Sequence, residues 1–207
     1  MSDSESKDGA IDALVTASAS GKLKEMKSLI DSGVDVDSVS LKSANSPLCA
    51  ASAQGLVKAV DFLLEMNANV DLVGSDGLTP LMHACALGGS KGGSVVRRLL
   101  QAKAEVNYVR ADDEMTALKF AVSTCGPDIV QELLNGGAEV DGPTNCRQTA
   151  LMIAARANNV DSLRVLVKNG ADLTRTCKIP WAQNRTALGL AEMEKAEKAI
   201  AFLKSLV

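Results

Sequence analysis

Apolar positions along this chain fall into two alternating helical stripes. The first pairs a leucine with an alanine three residues on: Leu14 and Ala17, Leu48 and Ala51, Leu81 and Ala84, Leu118 and Ala121, Leu151 and Ala154, Leu188 and Ala191. That interval puts both side chains on one face of a helix. The helix must be short, because Gly21, Gly55, Gly88, Cys125 or Asn158 follows seven places after the leucine. The second stripe runs through Leu23, Met26, Leu29 and Ile30, and returns as Val57, Val60, Leu63 and Leu64. Val95, Val96, Leu99 and Leu100 continue it, then Ile129, Val130, Leu133 and Leu134, then Val160, Leu163, Leu166 and Val167. It stops at Gly33, Asn67, Lys103, Gly137 and Gly170. Glycine and asparagine suit the left-handed conformation that ends a helix, whereas Lys103 in that conformation costs about 1 kcal/mol. Segments 34–37, 68–71, 104–107, 138–141 and 171–174 alternate apolar and polar, the pattern of a hairpin leading into the next helix.

A residue able to cap a helix stands two places before each leucine: Asp12, Ser46, Thr79, Thr116, Thr149 and Thr186. Pro47 and Pro80 fit the first helical turn. Successive leucines are 34, 33, 37, 33 and 37 residues apart. A period in that range predicts a stack of small units that presents a long surface to a partner. The predicted units are about 10–45, 46–78, 79–115, 116–148, 149–185 and 186–207. The first and last are expected to be caps, because their second helices carry charge where inner units are apolar, as at Lys22, Lys24, Glu25 and Lys27, and at Glu197, Lys198 and Lys204. Residues 1–9 are expected to form a disordered tail. The third unit has about three extra residues in its inter-helix turn, 88–94, and the last hairpin, 175–185, is about four residues longer than the shortest.

Composition narrows the class. At 46% hydrophobic and 23% charged, the chain has enough apolar content to fold. Aromatics are 2%, so the core falls to Ala, Leu, Val and Ile. A formal net charge of -3 argues against a general nucleic-acid binder, and no apolar run reaches the roughly 20 residues of a membrane span. The five cysteines, Cys49, Cys85, Cys125, Cys146 and Cys177, contain no Cys-x-x-Cys, and the opening residues are polar and acidic, unlike a leader. A reduced setting, the cytoplasm or the nucleus, is expected.

Thr79-Pro80-Leu81-Met82-His83-Ala84, the paired helices, the Gly-Ala-Asp/Glu-Val-Asp/Asn close and the Asp76-Gly77 turn resemble the ankyrin repeat. The resemblance spans roughly residues 10 to 207 and recurs six times. It implies an all-α-dominated solenoid of helix-turn-helix units with short projecting β-hairpins. The family often carries histidine directly after the leucine; here those positions hold Cys49, Met82, Lys119, Met152 and Gly189. The resemblance also implies a partner meeting the hairpin tips and the exposed ends of the first helices. On this chain those candidates are Lys42, Ser75, Asp76, Leu78, Leu87, Asp112, Asp113, Met115, Asn145, Gln148, Arg156, Trp181 and Arg185. Asp112, Asp113 and Glu114 form an acidic finger, while Arg147, Arg156, Arg175, Lys178 and Arg185 make the C-terminal third basic, so a partner acidic towards that third is expected. Trp181 is either a binding anchor or a lid on the last hairpin.

The chemistry of a catalyst is thin. His83 is the single histidine, and Cys85 two residues on along a helix cannot face it. No catalytic, cofactor or metal residues are assigned, and 88–94 lacks the order of a phosphate-binding loop. Cys146, at a hairpin tip, is the candidate surface thiol. Arg98 and Glu132 occupy equivalent second-helix positions and are expected to pair. The expected function is noncatalytic protein recognition, as an adaptor, scaffold or regulatory inhibitor, by a chain that is monomeric alone and enters no membrane. A large apolar groove would instead favour a permanent assembly subunit; a deep polar pocket around His83 or a cysteine would favour an enzyme.

Overall fold

Five hydroxyl side chains start five of the helices. The oxygens of Ser46, Thr79, Thr116, Thr149 and Thr186 accept the backbone N–H three residues on, at 3.2, 3.2, 3.3, 3.2 and 3.3 Å. Each bond satisfies a donor that the first helical turn cannot, a contribution of about 1 kcal/mol apiece. The computed structural model describes residues 2–43, 45–142, 147–182 and 184–206. Two compact units divide the chain, residues 1–105 and 106–207.

The first unit contains α1 (Ser2–Ser20), α2 (Leu23–Asp31), α3 (Pro47–Ala53), α4 (Val57–Glu65), α5 (Pro80–Leu87) and α6 (Gly89–Gln101). Helices α1, α3 and α5 pack side by side as one layer, with α2, α4 and α6 as the second. The second unit repeats the arrangement with α7 (Ala117–Thr124), α8 (Pro127–Asn135), α9 (Ala150–Arg156), α10 (Val160–Lys168), α11 (Ala187–Met193) and α12 (Glu197–Lys204). A 3-10 turn, Pro180–Ala182, lies in its last connection. The six repeat alanines are all buried between the layers, and five of the six leucines join them. Leu188 is only half-buried, on an apolar pocket with Leu173, Ala187 and Leu203 in the terminal repeat. Each buried leucine contributes roughly 1.5–3 kcal/mol.

The second helices end as their sequence predicts: φ is 95° at Gly33, 62° at Asn67, 66° at Lys103, 97° at Gly137 and 86° at Gly170. Cys125 departs from the other inter-helix turns. Its backbone is extended, and Gly126 with Pro127 starts α8 instead.

Three expectations are corrected. Asp12 lies inside helix α1 and has no capping role. The connections carry no strand among the described residues. Single backbone bonds close them: Ser40 N–H to Asn45 O at 3.0 Å, Gly74 to Leu78 at 3.0 Å, Arg110 to Met115 at 2.9 Å and Cys177 to Arg185 at 2.8 Å. They are therefore fingers of turns, too short for a ladder. The extra residues at 88–94 are not a loop: from Gly89 on they lengthen α6 by its first turn. Gly92 makes this possible, because a Cβ there would sit 2.4 Å from the Ala84 carbonyl oxygen. Within the first unit, Arg98 Nε lies 3.2 Å from Asp61 Oδ1 on α4.

Neighbouring fingers are coupled by a device the pattern reading passed over. The Asp or Asn closing one repeat accepts a backbone N–H from the next: Asp37 from Asn69 at 2.9 Å, and Asp71 from Glu105 at 2.8 Å. In the second unit Asn107 accepts from Glu139 at 2.9 Å and Asp141 from Asp172 at 3.2 Å.

Candidate partner-binding surface

In the first unit the surface is built from a serine outward. Ser40 is buried in the first finger; its hydroxyl donates to Asp12 Oδ1 at 2.6 Å and accepts the N–H of Lys42 and Ser43 at 3.2 and 3.1 Å. Lys42 Nζ reaches back to Asp12 Oδ2 at 2.7 Å. The bonded Lys42 ammonium, and after it the Ser40 hydroxyl, hold the Asp12 carboxyl below the usual carboxylate range. The finger tip is thus tied to α1. Beneath it opens a groove of about 630 Å³ whose floor is small: Ala13, Thr16, Ala19, Ala50 and Ala53. Ser43, Asn45, Ser20 and Gln54 line it too, so finger-tip and helix-end candidates share one concavity.

The second finger carries Ser75 and Asp76, both exposed. Asp76 Oδ1 accepts the Leu78 N–H at 3.1 Å and so shapes the turn. His83 is buried on α5, with Nε2 3.3 Å from Asp76 Oδ2 but outside hydrogen-bond geometry. Burial lowers the imidazole pKa, and the Asp76 charge opposes that shift. Leu78 does not belong on the surface: it is 9% exposed, packed inward, with its carbonyl accepting from Gly74. Leu87, 42% exposed at the end of α5, remains available.

The position after the repeat leucine still serves the finger where histidine is missing. Cys49 Sγ donates to Leu72 O at 3.3 Å, and Lys119 Nζ donates to Glu114 O at 2.7 Å. Burial pushes the Cys49 thiol up to about 11. Cys85, Cys125 and Cys177 are buried as well, while Cys146 and Asn145 lie outside the described residues.

In the second unit, charge expected to face a partner is largely spent internally. Asp113 is held by Arg110, with Nε to Oδ1 at 2.8 Å, and that guanidinium keeps its carboxyl below the usual range. Glu114 approaches the Arg147 guanidinium at 4.0 Å, and Arg175 donates to Asp141 O at 3.0 Å. Asp112 and Arg185 are exposed. Arg156 reaches Glu194 at 3.1 Å and lies 4.6 Å from the centre of the Trp181 ring. Trp181 is nonetheless 47% exposed, a stacked aromatic presented by the 3-10 turn. Asp113, Met115 and Gln148 come together on one cleft, to which Lys119, Arg147, Ile153 and Ile179 also contribute. Sequence reading missed Glu194, Ile153 and Ile179, whose place depends on which loop crosses which helix.

Among the described residues no group of three or more His, Cys, Asp or Glu is placed to hold a metal, and no helix is long and apolar enough to cross a membrane.

Comparison with known proteins agrees with this architecture. The neurogenic locus notch homolog protein 1 of Mus musculus is 35% identical over 96 residues, 46% of this chain and 4% of that protein. The ankyrin repeat and KH domain-containing protein mask-1 of Caenorhabditis elegans is 34% identical over 101 residues, 45% of this chain and 4% of that protein. The matched stretch is thus about one twenty-fifth of either relative's length. Among solved structures, a chain of the complex between the predatory endopeptidase Bd0816 from Bdellovibrio bacteriovorus and immunity protein Bd3460 superposes with a TM-score of 0.81. It is 24% identical, and the match covers 93% of this chain and 97% of that one, a likeness of fold. The family model for ankyrin repeats (3 copies) matches residues 14–110, 90–177 and 127–205, and the chain belongs to the ankyrin-repeat family.

Proposed function

We propose that this chain is a noncatalytic recognition module that binds a partner protein reversibly, acting as a monomer in the cytoplasm. The observation that carries this reading is the groove of the first unit. Its floor of alanines and Thr16 leaves room for a partner's side chains, and its rim is a finger tip already fixed by Ser40, Asp12 and Lys42. A rim fixed before binding loses little freedom on association. The mixture of polar rim and small apolar floor supports reversible association over a permanent subunit contact, which would be larger and more apolar. His83 and Cys49 support no catalytic role: each is buried, neither lines a cavity described above, and the Cys49 thiol is held protonated.

The solved complex named above joins an endopeptidase to an immunity protein, so a folded enzyme is the partner class to test first, with regulatory inhibition as the corresponding role. The experiment compares proteins that co-purify from the native cell with the wild-type chain, with Ala53→Arg in the groove floor, and with Lys58→Glu on α4. Ala53→Arg should lose the specific partner and Lys58→Glu should keep it. The same partners retained by all three forms would overturn the reading.

A further inference from the structure

The second unit holds a cleft away from its fingers. It lies between α10 and α12, the neighbouring second-layer helices of the last two repeats, and has a volume of about 690 Å³. Val160, Ala201, Phe202 and Leu206 give it apolar walls. Leu206 is 41% exposed and Phe202 is half-buried. The polar lining is Arg164, Lys198 and Ser205, and among the described residues no carboxylate lines the cleft. The Ser205 hydroxyl is already engaged, donating to Phe202 O at 2.6 Å.

The two cations are unmatched, and one of them is held in place. The Arg164 guanidinium stacks on the Phe202 ring, 4.9 Å from its centre. Stacking uses the flat face of the group and leaves the N–H donors on its edge. Neither Arg164 nor Lys198 has an ion-pair or hydrogen-bond partner among the described residues. By contrast, Asp61 matches Arg98 on α6, and Glu192 lies 3.0 Å from Lys204 on α12. Helix dipoles account for the other charges of α10 and α12: Asp161 and Glu197 stand in first turns, Lys168 in a last turn. They do not account for Arg164 in mid-helix, and Lys198, the second residue of α12, opposes the dipole. Lys198 also shares the cleft with residues of α10, so it faces the neighbouring helix and not the open end of the stack.

We propose that this cleft binds an acidic segment of a partner protein. One carboxylate meets the Arg164 edge, a second meets Lys198, and an apolar side chain sits between them on Val160, Phe202 and Leu206. The inference rests on the protein-recognition reading above and adds a contact away from the fingers. A planar carboxylate matches the two-point geometry of a guanidinium edge. The width of the occupant follows from the surroundings. The chain carries a net charge of -3, and Asp161 and Glu197 directly adjoin Val160 and Lys198 in sequence. A broad anionic surface such as a bilayer meets repulsion on either side, whereas a narrow strip of carboxylates does not.

The test uses the full chain, the peptide acetyl-Glu-Glu-Leu-Glu-Glu-amide, its counterpart acetyl-Gln-Gln-Leu-Gln-Gln-amide, and phosphatidylserine vesicles as the lipid probe. The readouts are the methyl resonances of Val160 and Leu206 and the side-chain N–H resonance of Arg164. The acidic peptide should shift these signals saturably, with the glutamine peptide at least about tenfold weaker. Arg164→Gln should weaken the acidic peptide by about tenfold or more, and Arg164→Lys by a smaller factor. Lys198→Gln, which breaks no described contact within the chain, should weaken it about threefold, while Lys58→Gln on α4 should leave it unchanged. No saturable shift at Val160 and Arg164, an equal response to the glutamine peptide, or equal losses from Lys58→Gln and Lys198→Gln would overturn the assignment. So would vesicles that perturb the same resonances and displace the peptide, since the occupant would then be a lipid surface. A failure here leaves the groove of the first unit untouched, whereas loss of the Ala53→Arg effect would remove the recognition reading itself.

Discussion

Lys103 holds φ at 66° where Gly33, Gly137 and Gly170 do the same work without a side chain. A left-handed lysine costs roughly 1–2 kcal/mol, part of which glycine would give back as extra freedom in the unfolded chain. Lys103→Gly should therefore raise stability by about 0.5–1 kcal/mol, read as a higher urea midpoint with an unchanged slope. A lower midpoint would show that the lysine side chain makes a compensating contact. His83 supplies a second check at this scale. Its pKa is depressed by burial, so the unfolded chain takes up the proton first as pH falls. The stability it contributes is complete above about 6.5 and declines below that value, until the folded form also protonates. An NMR titration of this single imidazole should give a midpoint below 6.5; one above it would mean that the Asp76 charge outweighs desolvation.

The finger-to-finger contacts are the element that most needs testing. Asn107 uses both ends of its amide: Oδ1 accepts from Glu139, and Nδ2 donates to Gly137 O at 2.9 Å. Asp71 uses an acceptor alone towards Glu105. Asn107→Asp should cost about 1–2 kcal/mol, because a carboxylate would then oppose a carbonyl, while Asp71→Asn should stay within about 0.5 kcal/mol. Equal costs in thermal unfolding would remove the two-ended role. The helices themselves were legible because each rests on local physics: an oxygen before a leucine, a stripe at helical spacing, a glycine at the end. Asp12 satisfied the capping rule and failed it, because α1 runs on through it and Ser40 and Lys42 claim its oxygens. The added residues of the third repeat resembled a loop by composition, yet the close approach of Gly92 to Ala84 needs that glycine inside a helix. Leu78 counted as a tip residue by position and turned inward, since nothing in the spacing says which side of a turn faces the core.

Across the whole molecule, each unit holds three helix pairs with its own buried leucines and alanines. Three layers are about the least that repeat architectures need to stand alone. Expressed separately, fragments 1–105 and 106–207 should each melt cooperatively, and a single pair such as 116–142 should show no transition by circular dichroism. A cooperative melt of that single pair would contradict the layered origin of stability. The surface follows a similar logic. Net charge along the sequence suggested an acidic finger facing a basic third, but Arg110 takes Asp113, Arg147 approaches Glu114 and Arg156 takes Glu194. Sequence shows which charges exist, and only the fold shows which are already matched. The thiol of Cys49 has a practical use. Sealed in the core and protonated well above neutral pH, it reacts with an alkylating reagent only when the first unit opens. The rate at which that sulfur becomes blocked in buffer is thus a stopwatch for opening, built into the chain and needing no added label.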